Sequence, residues 1–295
     1  MSSTGLPSPT PDCTLAANDP GDETASRFRF QYAWAAITCC MLFDDAQDVV
    51  EVFCEHHEDV LLKHRDGKFT GHQVKTRGSE QPLWKAGDEH VRAACAKFVR
   101  LDADFPGHFR AYRFLTSHPL YATQTAQSLG YALAEILAAP TLDDLPKGVL
   151  AWVRRVTQQA GASETVTFQA LKKATAAADL PKLQDVMMRL VNALVGCWAG
   201  AEDCSHDSVV RAAYALVENC ARASALDHEQ LLPAYVLASC QPDSNVATRI
   251  AGKRMTLDRV RAILAEGLNT TAPLAGIPMN YRSLAREART SCSKS

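Results

Sequence analysis

The chain has 295 residues and a mass of 32.1 kDa; 47% of it is hydrophobic, 7% is aromatic, and its formal net charge is −2. That size supports one large core or two smaller ones, and the near-neutral balance excludes a polyanion binder working by bulk charge alone. No run of about eighteen apolar residues occurs, and the N-terminus has neither a basic nor an apolar segment of the secretory kind, so a cytoplasmic protein without a membrane span is expected.

Residues 1–22 place Pro7, Pro9, Pro11 and Pro20 among Ser, Thr and Asp, which reads as a disordered leader. From Glu23 to about Phe43 apolar positions recur at helical spacing through Phe30, Trp34, Ile37 and Met41, with Thr24 or Ser26 as cap and Asp44-Asp45 as the stop. Residues 49–54 are β-branched and aromatic and predict a strand, which residues 60–64 continue or pair with. Asp66-Gly67 is a turn signal, and residues 69–77 form the next strand. A helix over 86–101 buries Val91, Ala94, Cys95, Phe98 and Leu101; Phe105-Pro106-Gly107 breaks it before a strand at 110–117. Strand signals then fade. Helices are expected at 122–137, 147–159, 165–178, 181–199, 208–223, 229–240, 257–268 and 281–288. The order predicts an α/β (α+β) restriction-endonuclease-like core over 23–125, followed by an all-α domain over 126–295 with a regulatory or oligomerisation role.

The chemistry concentrates between Phe53 and Arg77. Glu55, Glu58 and Asp59 precede the Asp66-Gly67 turn, and Gln73 and Lys75 follow it. Side chains two apart on a strand share a face, so Gln73 and Lys75 point the same way. A hairpin sets Asp59 beside them. Asp59, the Gln73 amide oxygen and the main-chain carbonyl of Val74 make an oxygen set suited to Mg²⁺, with Lys75 stabilising charge on a phosphodiester. Glu55, four residues before Asp59, shares its strand face if no bulge intervenes, and Gln31 on the first helix is an accessory polar group. Residues 61–120 hold eleven Lys/Arg and six Asp/Glu, a local balance of 11 − 6 = +5 around this segment, where a phosphate backbone needs it.

The stretches around Phe30-Gln31-Tyr32, Glu55 with Asp59, Gln73-Val74-Lys75 and residues 113–117 together resemble the N-terminal endonuclease domain of the CD-NTase-associated (Cap4-type) nuclease effectors of bacterial antiphage defence. That domain belongs to the PD-(D/E)xK superfamily, and Lamassu-type systems are similar. The resemblance covers residues 24–120. It implies Mg²⁺-dependent cleavage of double-stranded DNA, with Asp59, Gln73, Lys75 and Glu55 as catalytic residues, held in check until a partner or ligand signals. Gln73 stands where the broader superfamily has an acid. The second half shows no nucleotide-sensing domain, which favours regulation by a protein partner such as an SMC-like ATPase complex, or by self-association.

Other signals read as structure. His56 and His57 are adjacent, so a strand would turn only one of them toward a site, and Mg²⁺ prefers oxygen. Consecutive Ser205, His206 and Asp207 cannot assemble a hydrolase triad. The ten cysteines include no CxxC pair and most sit in apolar helical patterns, which predicts free buried thiols. No P-loop or GxGxxG occurs. The competing readings are a non-catalytic helical scaffold and a constitutive restriction or repair nuclease of the same superfamily.

Overall fold

The computed structural model describes residues 20–225 and 242–269. Most of the expected leader, over residues 1–19, and the expected helices at 229–240 and 281–288 lie outside the described residues. The first half runs α1 (Pro20–Cys39), β1 (Val49–His56), β2 (Glu58–His64), β3 (Phe69–Lys75), α2 (Glu89–Asp104) and β4 (Phe109–Thr116). It continues with α3 (Leu129–Ala138), α4 (Lys147–Ala160), α5 (Glu164–Leu171), β5 (Ala174–Ala177), α6 (Val186–Cys197) and α7 (His206–Ala225). Beyond these come α8 (Pro242–Lys253), β6 (Arg254–Thr256) and α9 (Leu257–Asn269). The strands follow the order β5-β4-β3-β2-β1-β6, a mixed α/β sheet core with helices. Among the described residues no helix is long and apolar enough to cross a membrane.

The chain divides into two compact units, Met1–Trp34 with Gly71–Val186, and Ala35–Thr70 with Met187–Ser295. In the first, α2 packs on α4 and α5. The face expected for α2 is buried: Val91, Ala94, Cys95, Phe98 and Leu101. Phe98 and Phe109 each stack on Tyr112 of β4 with ring centroids 4.9 Å apart. β4 runs parallel to β5, pairing Tyr112 with Ala174 through Leu115 with Ala177, and α3, α4 and α5 form the crossover that parallel strands require. Burial pushes the Cys95 thiol up to about 12.

In the second unit β1 pairs antiparallel with β2 on one side and β6 on the other. At the far end of β2 the expected turn forms: Gly67 has φ +78°, and the Lys68 amide donates to Asp66 Oδ1 at 2.9 Å. α7 packs on α9 and β1. That helix pair approaches closely at Gly267, where a Cβ would lie 2.8 Å from Ala212 Cα. Cys39, Cys40 and Cys220 are buried free thiols, as the apolar helical patterns predict, whereas Cys197 is only half-buried.

The structure corrects several expectations. The second half is not all-helical. Residues 174–177 leave the helix expected over 165–178 and form β5, because pairing with β4 outweighs the helix preference of an Ala-rich run. Residues 254–256 form β6 against β1, after a helix at 242–253 that the pattern had not disclosed. The helix expected from residue 122 begins only at Leu129, where Ser128 Oγ accepts from the Tyr131 amide at 3.3 Å. The preceding backbone is committed elsewhere: Tyr121 N donates to Trp84 O, and Gln127 O accepts from Ala86 N, both at 2.9 Å.

Candidate functional site

Lys75 ends β3, and the chain then turns through residues 76–88 into α2. Trp84 organises this turn. Its indole Nε1 donates to Thr116 Oγ1 at 2.9 Å, and its ring packs edge-on to Phe114 with centroids 5.9 Å apart. Over the same ring lies the Arg77 guanidinium, with Cζ 3.3 Å from the centroid. Arg77 Nη1 donates to Pro82 O at 2.8 Å and Nη2 to Asp88 Oδ2 at 3.0 Å. Asp88 sits at the N-cap position of α2, yet its carboxylate serves Arg77 and the Lys85 amide rather than a helix amide. The turn is therefore fixed by side chains on both of its ends.

α1 contributes Arg27 and Gln31, four apart and so on one helical face. With Lys75, Arg77, Trp84 and His90 they line a cavity of about 310 Å³ that lies wholly within the first unit. No carboxylate is among its lining residues. Three predicted site residues meet here: Gln31, Val74 and Lys75. Gln73 is buried in β3 two residues before Lys75 and does not line this cavity.

Glu55 and Asp59 belong to the second unit. They lie on two strands rather than one: Glu55 is the next-to-last residue of β1 and Asp59 the second of β2, with a tight turn at His57 between them. The register pairs Cys54 with Val60 and His56 with Glu58, which sets Glu55 and Asp59 at facing positions of that hairpin. Two non-glycine residues of the tip take left-handed backbone, Glu55 at φ 48° and His57 at φ 62°. Such residues cost about 1 kcal/mol or more each and gather at functional sites. Lys253 holds the tip by donating to Glu55 O at 2.8 Å and to Ser224 O at 3.1 Å. Burial, with His57 and Lys253 nearby, lowers the His56 pKa to about 4, so that ring is neutral near pH 7. Glu58 points into the core, whereas Asp59 is only half-buried.

Arg27, Arg77, Trp84 and His90 were not singled out in the sequence. Arg27 and Arg77 were within reach: one lies a helical turn before Gln31, the other two residues beyond Lys75. Trp84 and His90 join the cavity only through the fold of the 76–88 turn.

A family profile described as "Cap4, dsDNA endonuclease domain" matches residues 19–224, more than half of the chain. The chain belongs to the Cap4 dsDNA endonuclease-domain family. The match continues well past residue 125 and takes in β5 and nearly all of α7, so the segments expected as a separate helical domain fall largely inside this Cap4 region. No curated protein matches the chain. Among solved structures it is similar to the Acinetobacter baumannii Cap4 SAVED/CARF-domain containing receptor with the cyclic trinucleotide 2'3'3'-cAAA, at 8% identity and a TM-score of 0.46. That likeness covers 86% of this chain and 46% of the receptor, so the chain spans about half the receptor's length.

Proposed function

We propose that this protein is a metal-dependent endonuclease of double-stranded DNA and the effector of a bacterial antiphage defence system. The observation that carries the reading is Lys75, placed with Gln31 on a cavity rich in cations and free of carboxylates, in a chain of the Cap4 endonuclease family. Phosphodiester hydrolysis develops charge on the phosphoryl oxygens, and a fixed ammonium is the simplest group to stabilise it. The proposed core is restriction-endonuclease-like, with Asp59, Gln73, Lys75 and Glu55 as its working residues and Gln31 as accessory.

The donors fit Mg²⁺. Asp59 offers a half-buried carboxylate, Gln73 an amide oxygen and Val74 a main-chain carbonyl, all hard oxygen ligands. Among the described residues no group of three or more His, Cys, Asp or Glu is assembled for a metal. The proposed ion therefore relies on amide and carbonyl oxygen beside the carboxylate, with Glu55 facing Asp59 across the hairpin. When bound, the ion supplies an activated water and charge to offset the scissile phosphate. Lys75 binds and orients the phosphate, and Gln31 is an accessory polar group lining the same cavity. We further propose that the activity is held until released by a partner, such as an SMC-like ATPase complex, or by self-association. This part rests on the resemblance.

Plasmid cleavage by the purified chain with Mg²⁺ tests the assignment. Lys75→Ala and Asp59→Ala each lower cleavage at least about 100-fold while circular dichroism and melting temperature stay near wild type. Equal cleavage by wild type and both variants would sink the nuclease reading and leave the scaffold one. Cleavage and cell toxicity from the full chain with no partner would favour the constitutive nuclease.

A further inference from the structure

Lys75 is not the only cation on its cavity. Arg27 stands exposed on α1, and Arg77 reaches the same space from beyond the end of β3. Arg77 is preorganised: stacked on the buried Trp84 and tied to Pro82 O and Asp88, its guanidinium has a fixed plane. Those bonds leave further N–H groups of its five-donor fork for a ligand. Asp88 offsets part of this charge, but Arg27 and Lys75 keep the lining positive. His90, in the first turn of the sixteen-residue α2, adds a ring nitrogen on the cavity wall. Positive charge without a lining carboxylate suits an anion. A fixed, planar donor beside an ammonium matches phosphate oxygens.

We propose that this cavity is a subsite for a backbone phosphate of duplex DNA, held by Arg27 and Arg77 beside Lys75. The proposal rests on the nuclease reading for its choice of ligand. Arg27 and Arg77 are positioning residues in it: they set the register of the strand and leave the chemistry to Lys75. A plainer role for Arg77, strapping the 76–88 turn to α2, predicts a different result in the same experiment.

The experiment measures binding of the full chain to a short fluorescein-labelled DNA duplex in EDTA, across a series of salt concentrations, so that affinity is read without turnover. Each phosphate contact contributes about 0.9 to the slope of log affinity against log salt. Arg27→Gln, at an exposed helical position that folding does not require, lowers that slope by about 0.9, and so does Arg77→Gln. Arg77→Lys restores the slope, because it keeps the charge while giving up the fork; a strap role would leave it as impaired as Arg77→Gln. Arg222→Gln, on α7 and not among the cavity's lining residues, leaves the slope unchanged. Slopes equal to wild type in both glutamine variants overturn the subsite, and so does a wild-type chain that does not bind the duplex. Saturable binding of inorganic phosphate that both variants lose, with duplex slopes unaltered, assigns the cavity to a free anion and also overturns it. The two proposals fail separately. Wild type that binds with the predicted slopes yet never cleaves defeats the nuclease reading, and wild type that cleaves with unaltered variant slopes defeats the subsite.

Discussion

At the residue scale the hairpin tip carries a pH-sensitive group. His56 has its pKa lowered to about 4 by burial and by the charges of His57 and Lys253, against 6.5 for a free imidazole. The folded chain thus binds that proton less readily than the unfolded one. The stability contributed by neutral His56 is complete above about 6.5 and is lost as pH falls through the interval down to about 4. Urea unfolding at a series of pH values should show stability declining across that window. His56→Phe, which keeps the packing against Phe53 at 5.5 Å, should flatten the decline; an unchanged slope in the variant would assign it to other groups. Trp84 gives a second residue-scale outcome. Trp84→Phe keeps an aromatic face for Arg77 but removes the donor to Thr116 Oγ1, which still accepts from the His118 amide at 3.0 Å. The cost is therefore that of one hydrogen bond, about 0.5–1.5 kcal/mol in urea unfolding.

At the element scale, the packing of α7 on α9 turns on small residues. A side chain at Gly267 would press on Ala212 Cα at 2.8 Å and Ala215 Cβ at 3.1 Å, and backbone cannot yield as a side-chain tip can. Gly267→Ala should therefore destabilise by about 1–3 kcal/mol despite alanine's better helix propensity; a gain in urea midpoint would show that the helices separate without penalty. Elements whose signal is local were legible in the sequence. The helix expected at 147–159 is Lys147–Ala160, and the Asp66-Gly67 turn sits between strands as predicted. Elements chosen by partners were not. Ala174–Ala177 carries no β-branched or aromatic run beyond Thr175 and becomes a strand only because β4 offers its edge. Arg254–Thr256 is three residues long, too short to show a period, and is a strand through β1 alone. The site divides along the same line. Gln31, Val74 and Lys75 meet because local patterns set α1 and β3 correctly. Glu55 and Asp59 fall on two paired strands rather than one because the turn at His57 uses a left-handed backbone that histidine rarely signals.

At the scale of the whole molecule, charge is distributed rather than abundant. A net −2 overall coexists with an excess of +5 over residues 61–120 (11 − 6), so DNA affinity should draw on that segment together with Arg27 and depend steeply on salt. The metal proposed for the chain has a thermodynamic consequence that does not require turnover. A ligand that binds only the folded protein stabilises it by about 2.7 kcal/mol at a hundredfold excess over its Kd. Mg²⁺ titrated into the chelated full chain should raise Tm by a few degrees, and EDTA should reverse the rise along with any cleavage. Asp59→Ala removes the one carboxylate assigned as ligand and should abolish the Tm shift, while Lys75→Ala, which removes a phosphate-binding group and no ligand, should retain it. That contrast separates metal binding from catalysis. A Tm indifferent to Mg²⁺ in the wild type, or a shift that survives Asp59→Ala intact, would remove Asp59 from the metal's coordination and leave Lys75 with its cationic cavity as the part of the site that stands.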